Sequence, residues 1–135
     1  MNLDLAHEPK HIVRAAFEGV VFAIYSVQRV MKEMKIDPQA LLLSGGLTHA
    51  AFVRQMIADV FECEARVSDH DEASAFGAAM YAGLAIGALH SLDEVKSQIK
   101  TLSTHRPNPE LSGAYREAFA RFSDRVRDEL AKLGG

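Results

Sequence analysis

Apolar residues recurring at three- and four-residue steps open the chain as a helix. They are Ile12, Val13, Ala16, Phe17, Val20, Ile24, Val27 and Met31, the spacing of one helical face. Pro9 stands where a first-turn residue belongs, since the N–H it lacks would have no partner there. The stripe widens over Val20–Tyr25, which predicts that both sides of this helix are covered. Arg14 and Glu18 are spaced to pair across one turn. Asp37–Pro38 marks the end, because the residue before proline is disfavoured in helical geometry.

Leu41–Leu42–Leu43, stopped by Ser44–Gly45–Gly46, is too short and too closely flanked by glycine for a helix and reads as a buried strand. Thr48 is placed to cap the next helix, whose apolar stripe is Phe52, Val53, Met56, Ile57 and Val60. Ala65–Arg66–Val67 predicts a second strand. Asp69 or Asp71 would then cap a third helix over Glu72–Leu89. Asp93–Lys100 reads as a short helix and Thr101–Glu110 as an irregular, proline-bearing connection. Leu111–Leu133 closes the chain as an amphipathic helix with Tyr115, Phe119, Phe122, Val126 and Leu130 on one stripe.

This order predicts an α/β fold, helix-rich, with about two short parallel strands joined by crossovers. Two strands alone make a poor sheet. The unpaired edge and open apolar helix faces therefore predict a homo-oligomer, or packing borrowed from a partner chain.

At 135 residues, with 48% apolar content, the chain has the material for one domain and its core. No repeat or internal boundary is visible. The net charge of −3 and the interspersed signs, as in Arg125–Val126–Arg127–Asp128–Glu129, give no footprint for nucleic acid or an anionic membrane. Cys63 is the only cysteine, so no internal disulfide forms and a reducing, cytoplasmic setting is expected. Met1–Lys10 is polar and lacks the apolar run of a secretory leader. Ala73–Leu89 is uncharged over 17 residues, short of the roughly 20 that span a bilayer. Its Ala and Gly content predicts a buried, close-packed helix.

Chemistry is carried first by Ser44–Gly45–Gly46. A strand, two glycines and a helix start let a ligand approach the backbone, and the N–H groups beyond suit a phosphate or a ribose edge. The pattern is neither the lysine-bearing phosphate loop nor the dinucleotide fingerprint, and an ordinary strand-to-helix turn has the same letters. Gly77–Ala78–Ala79 and Gly83 read as small residues admitting a neighbouring backbone, and Glu72 as serving a helix start. His7–Glu8–Pro9–Lys10–His11 matches the zinc-protease pattern. Pro9 argues that a helix begins there, leaving His7 outside it. His49 is at most a phosphate neighbour. Cys63 reads as an inert thiol.

Taken in order, these segments resemble the C-terminal domain of the FGGY carbohydrate kinases. The resemblance runs through His11–Val20, Ser44–Gly45–Gly46, Phe52–Val60, Glu72–Ala79, Leu84–Gly87, Ser91–Glu94 and Pro107–Pro109 with Tyr115, and so covers about His11 to Leu133. It implies an actin-like, ribonuclease-H-like fold, here the later part of the ATP-binding domain over residues 1–135. The N-terminal, sugar-binding domain and the catalytic Asp of the family have no counterpart in the chain. ATP with Mg2+ is the implied cofactor, and a sugar or sugar acid the implied substrate, bound by the missing domain. Gly45 and Gly46 would pass beside the ribose and α-phosphate. Ala50 would face adenine, where glycerol kinases carry an Asn. The stretch Arg54–Asp59 and the tail are most similar to gluconokinases, with xylulose, glycerol or another polyol as other substrates. No residue of this chain matches a catalytic one, and the isolated chain is expected to be inactive. A non-catalytic binding or assembly remnant of such a kinase is the alternative. Met1 just before the family's helix and Gly134–Gly135 at the end fit either an engineered piece or a truncated gene.

Overall fold

The computed structural model describes residues 6–133, leaving aside the side chains of residues 97 and 98. Met1–Leu5 and Gly134–Gly135 lie outside the described residues. The chain divides into two compact units. One comprises residues 1–38, 59–62 and 107–135, and the other residues 39–58 and 63–106.

The first unit is built on α1 (Pro9–Glu33) and α5 (Pro109–Leu133). Glu8 is the N-cap of α1 and Pro9 its first residue, so His7 stands before the helix. Asn108 starts α5 the same way: its side-chain oxygen accepts the Glu110 N–H at 3.0 Å, with Pro109 as the first helical residue. The Asn108 N–H in turn donates to the Asp59 carboxylate at 2.8 Å, which satisfies a carboxylate only 2% exposed.

The core of this unit is aromatic. Phe22 meets Phe119 edge-on with ring centres 5.8 Å apart, and Tyr25 meets Phe119 at 4.8 Å and Phe61 at 5.2 Å. Arg14 donates to the Tyr115 hydroxyl and to Glu18, each at 2.9 Å, so the predicted one-turn pair is present. Burial pushes the Tyr115 phenol up from its ordinary value.

The face of α1 that is buried is not the stripe read from the sequence. Val21, Phe22 and Gln28 are buried, whereas Ile12, Val13, Val20, Ile24 and Val27 are exposed. The helix carries two apolar stripes, and the aromatic cluster with α5 takes the one bearing Phe22. On α5, Tyr115 and Phe119 are buried as expected, while Val126 and Leu130 are exposed.

The second unit contains β1 (Ala40–Leu43), β2 (Glu64–Ser68) and β3 (Thr101–His105), in the order β1-β2-β3. β1 and β2 are parallel, with Leu41 opposite Ala65 and Leu43 opposite Val67, as the crossover pattern requires. β3 corrects the irregular reading of Thr101–Glu110. It runs antiparallel to β2, with Ala65 opposite His105 and Val67 opposite Ser103. Its polar side chains hid it, since a strand with few apolar positions gives little alternating signal. The free edge of β2 supplied the backbone hydrogen bonds.

Helix α2 (Ala51–Phe61) crosses from β1 to β2 and carries much of the core, with Val53, Met56, Ile57, Ala58 and Val60 buried. Phe52, read as part of its stripe, is exposed. Helix α3 (Ala73–Ala85) overturns the expectation of a buried, close-packed helix, because none of its residues is buried. It also ends at Ala85, short of the predicted Leu89. Its apolar positions surround the axis, so no single stripe faces a partner. Gly83 alone is close-packed: a Cβ there would lie 2.9 Å from the Leu89 side chain, whereas one at Gly77 would meet nothing within 4 Å. Helix α4 (Leu92–Gln98) is capped by the Ser91 hydroxyl, which accepts the Glu94 N–H. No helix among the described residues is long and apolar enough to cross a membrane.

Candidate functional site

Because β1 and β2 are parallel neighbours, the loops leaving their C-terminal ends lie side by side. Gly45 turns the first loop with φ 86° and ψ 178°, a conformation open essentially only to glycine. Its carbonyl accepts two bonds from Thr48, from the N–H at 3.0 Å and from the hydroxyl at 2.7 Å. Those bonds close a 3-10 turn over Gly46–His49. Thr48 is thus buried and committed to the turn, and it does not cap α2 as its position suggested. Ala50 ends the turn in extended geometry, and its carbonyl accepts the Val53 and Arg54 N–H groups at 3.0 and 3.3 Å. Helix α2 starts there, at Ala51.

The second loop, Asp69–Glu72, is held by its own bonds. The Asp69 N–H donates to the Lys100 carbonyl, and the Lys100 N–H to the Asp69 carboxylate, both at 3.0 Å. That N–H, aided by His70, holds the Asp69 carboxyl below the usual aspartate value. Asp69 Oδ1 also lies 2.7 Å from Nδ1 of His70, whose ring packs on Phe76 with centres 3.9 Å apart. Neither Asp69 nor Asp71 caps α3. The N-cap is Glu72, which makes no capping bond, and Asp69 is drawn away by Lys100 at the entry to β3.

The two loops meet at Gly45, where a Cβ would lie 3.9 Å from the Asp71 carbonyl oxygen. Over Gly46 a Cβ would find open space. The two loops thus adjoin outside the carboxyl ends of parallel strands, the place where open α/β sheets take ligands. Gly45 and Gly46 let a ligand approach the backbone. Ala50 is half-buried at the far end of the same loop, and His49 is exposed beside it. Sequence reasoning placed the first loop but treated Asp69–Glu72 only as a source of caps. The signal was available, since two parallel strands set their exit loops together.

The other candidates do not converge on chemistry. Nδ1 of His11 accepts the Glu8 N–H at 3.0 Å, a structural use of the ring. Among the described residues, no group of three His, Cys, Asp or Glu side chains is placed to hold a metal. Cys63 is half-buried. Glu64 pairs with Arg66 at 2.6 Å and Arg106 at 3.5 Å on the solvent side of the sheet, away from the two exit loops. The Arg66 bond pulls the Glu64 carboxyl down.

Known proteins resemble this chain in sequence and in fold. The sequence model of the C-terminal domain of the FGGY family of carbohydrate kinases matches residues 1–86. A gluconokinase from Bacillus licheniformis is 34% identical over 122 residues, 90% of this chain and 24% of that relative. A solved xylulose kinase from Rhodospirillum rubrum is similar in fold, with a TM-score of 0.84 over 100% of this chain and 28% of its own, at 24% identity. Plasmodium falciparum glycerol kinase, solved with ADP, gives a TM-score of 0.73 at 26% identity, over 95% of this chain and 26% of its own. The chain therefore spans about a quarter of the length of the relatives it matches.

Proposed function

Since the chain belongs to the FGGY family of carbohydrate kinases, we propose that it forms the later part of a C-terminal ATP-binding domain and serves ATP-dependent phosphorylation of a sugar or sugar acid. The observation that carries this reading is the Gly45–Gly46 turn, open glycine backbone at the exit of a parallel strand. A phosphate or ribose edge approaches such a backbone without a side chain in the way. Gly45 and Gly46 take the ribose and α-phosphate side, and Ala50 the adenine side. The likeness to a glycerol kinase solved with ADP supports a nucleotide as the ligand.

Phosphoryl transfer needs positioning, charge stabilisation and a carboxylate to accept the hydroxyl proton. In this reading the chain supplies positioning on the nucleotide side. The preceding part of the kinase supplies the sugar pocket and the carboxylate. Mg2+ arrives with the phosphates, and no side chain of this chain is assigned to it. Gluconate is the favoured substrate, on the 34% identity to a gluconokinase, with xylulose or another polyol next. A cytoplasmic setting, which the lone Cys63 suits, and self-association of the chain belong to the same proposal.

Titrating Mg–ATP into the chain while following the backbone amide resonances of Gly45 and Gly46 tests it. Selective, saturable shifts at these two glycines are expected. A well-folded sample without them would move the reading to a non-catalytic binding or assembly module.

A further inference from the structure

The turn at the end of β1 commits nearly all of its polar side chains to the fold. Between Gly46 and Gln55 the chain carries four of them: Thr48, His49, Arg54 and Gln55. Thr48 is buried, and its hydroxyl donates to the Gly45 carbonyl at 2.7 Å. Arg54 reaches the Ser103 hydroxyl at 3.4 Å and Gln55 donates to the Arg106 carbonyl at 2.8 Å, so both are drawn toward β3. The Ala50 carbonyl is taken by the Val53 and Arg54 N–H groups. Of the four, His49 alone is exposed, and Leu47, Ala51 and Phe52, exposed beside it, are apolar. The second loop meets the turn at Gly45, and there Asp69 is tied to Lys100 and His70.

Building on the nucleotide reading above, with Gly45–Gly46 at the phosphates and ribose and Ala50 at the base, we infer that this turn leaves the base unread. Purine triphosphates that differ at the base edge therefore bind to it alike.

Adenine and guanine differ where an amino donor in one replaces a carbonyl acceptor in the other. A site that tells them apart holds a fixed donor and acceptor, and rejects the wrong base because a polar group would be left unpaired. Ala50 puts a methyl group at that position. Apolar neighbours and an exposed imidazole stack on either purine, because every base has a π-face. The hydrogen bonding the turn does offer is glycine backbone, open over Gly46. It suits the phosphates and ribose that all these nucleotides share.

Titrating Mg–ATP and Mg–GTP separately into the 135-residue chain, with the Gly45 and Gly46 amide resonances followed, tests this. Both should shift the same two amides, with dissociation constants within ~3-fold of each other, short of the ~10-fold that a well-made hydrogen bond gives. Ala50→Gln should open a preference for ATP of at least ~5-fold, because a side-chain amide can pair with the N6 and N7 edge of adenine. Glutamine serves better than asparagine, which would cap α2 from this position.

Mg–ATP bound ~10-fold or more tighter than Mg–GTP by the parent chain would overturn the inference and leave the nucleotide reading standing. So would a well-folded Ala50→Gln variant that binds the two alike, since residue 50 would then lie away from the base. Should that variant misfold, the parent-chain ratio still decides. Shifts with neither nucleotide would remove the nucleotide reading itself, and this inference with it.

Discussion

β1–α2 and β2–α3 are the same device used twice, a strand, a loop and an apolar helix, with the two strands parallel neighbours. The outcomes differ. Helix α2 has Val53 and Ala58 wholly buried, while α3 has no buried residue although it carries no charge from Ala73 to Ala85. Apolar content alone therefore does not bury a helix. In α2 burial runs without a break from Met56 to Phe61, so the second half of the helix is enclosed all round. In α3 the apolar residues surround the axis, and no one surface can cover such a helix. The loops differ as well. The first is shaped by a glycine conformation and a threonine tie, the second by a carboxylate bonded to the backbone of another strand.

The sharpest way to break this contrast is to truncate one apolar side chain on each helix. Met56→Ala should cost about 2–5 kcal/mol, as deletion in a packed core does. Tyr81→Ala, at a position 70% exposed, should change stability by no more than about 0.5 kcal/mol. Urea denaturation of both variants decides the matter. Comparable losses would mean that α3 is covered in solution.

The first loop offers a smaller and more local contrast. Gly45→Ala forces a side chain into the glycine-only region and should cost about 1–3 kcal/mol. Gly46→Ala meets open space at an ordinary φ and should stay within about 0.5 kcal/mol of the parent. If the nucleotide lies over this loop, Gly46→Ala should nonetheless weaken Mg–ATP binding. Thermal melts and a binding isotherm on the same two variants separate the effects.

The smallest expected effect belongs to the second loop. The Asp69 carboxyl is held down in the folded chain by the Lys100 N–H and by His70. Its bonds therefore contribute stability above the unfolded-state value, which is lost as the pH falls through the folded-state value. Asp69→Asn should flatten that part of the acid limb, with only a modest change at neutral pH because the group is solvent-screened. Carboxyl carbon titration should give a midpoint for Asp69 below that of an unstructured aspartate. A midpoint at or above it would remove the clamp from the description of this loop.

Much of the site was legible before the structure. Leu41–Leu43 bounded by Ser44–Gly45–Gly46 marked both the strand and its glycine turn, and Pro9 marked the start of α1, whereas Pro109, read as part of an irregular connection, in fact starts α5. The stripe of α2 was legible too, since one face carries most of its large apolar residues. What escaped was competitive or long-range. Thr48 and Asp69 both look like caps in a linear chain, yet each has a better acceptor or donor elsewhere, Gly45 for one and Lys100 for the other. β3 escaped because Thr101–His105 owes its strand to the edge of β2 rather than to its own alternation.

By itself, the sequence determined the elements whose cause is local: prolines at helix starts, glycine at the turn, and the periodicity that makes α1, α2 and α5 helices. Tertiary structure alone decided which of the two α1 stripes is buried, whether α3 has a partner, and where a polar segment becomes a strand. The reason is physical. Backbone preference and periodicity are properties of neighbouring residues, whereas burial and ladder pairing depend on a surface supplied by residues far along the chain.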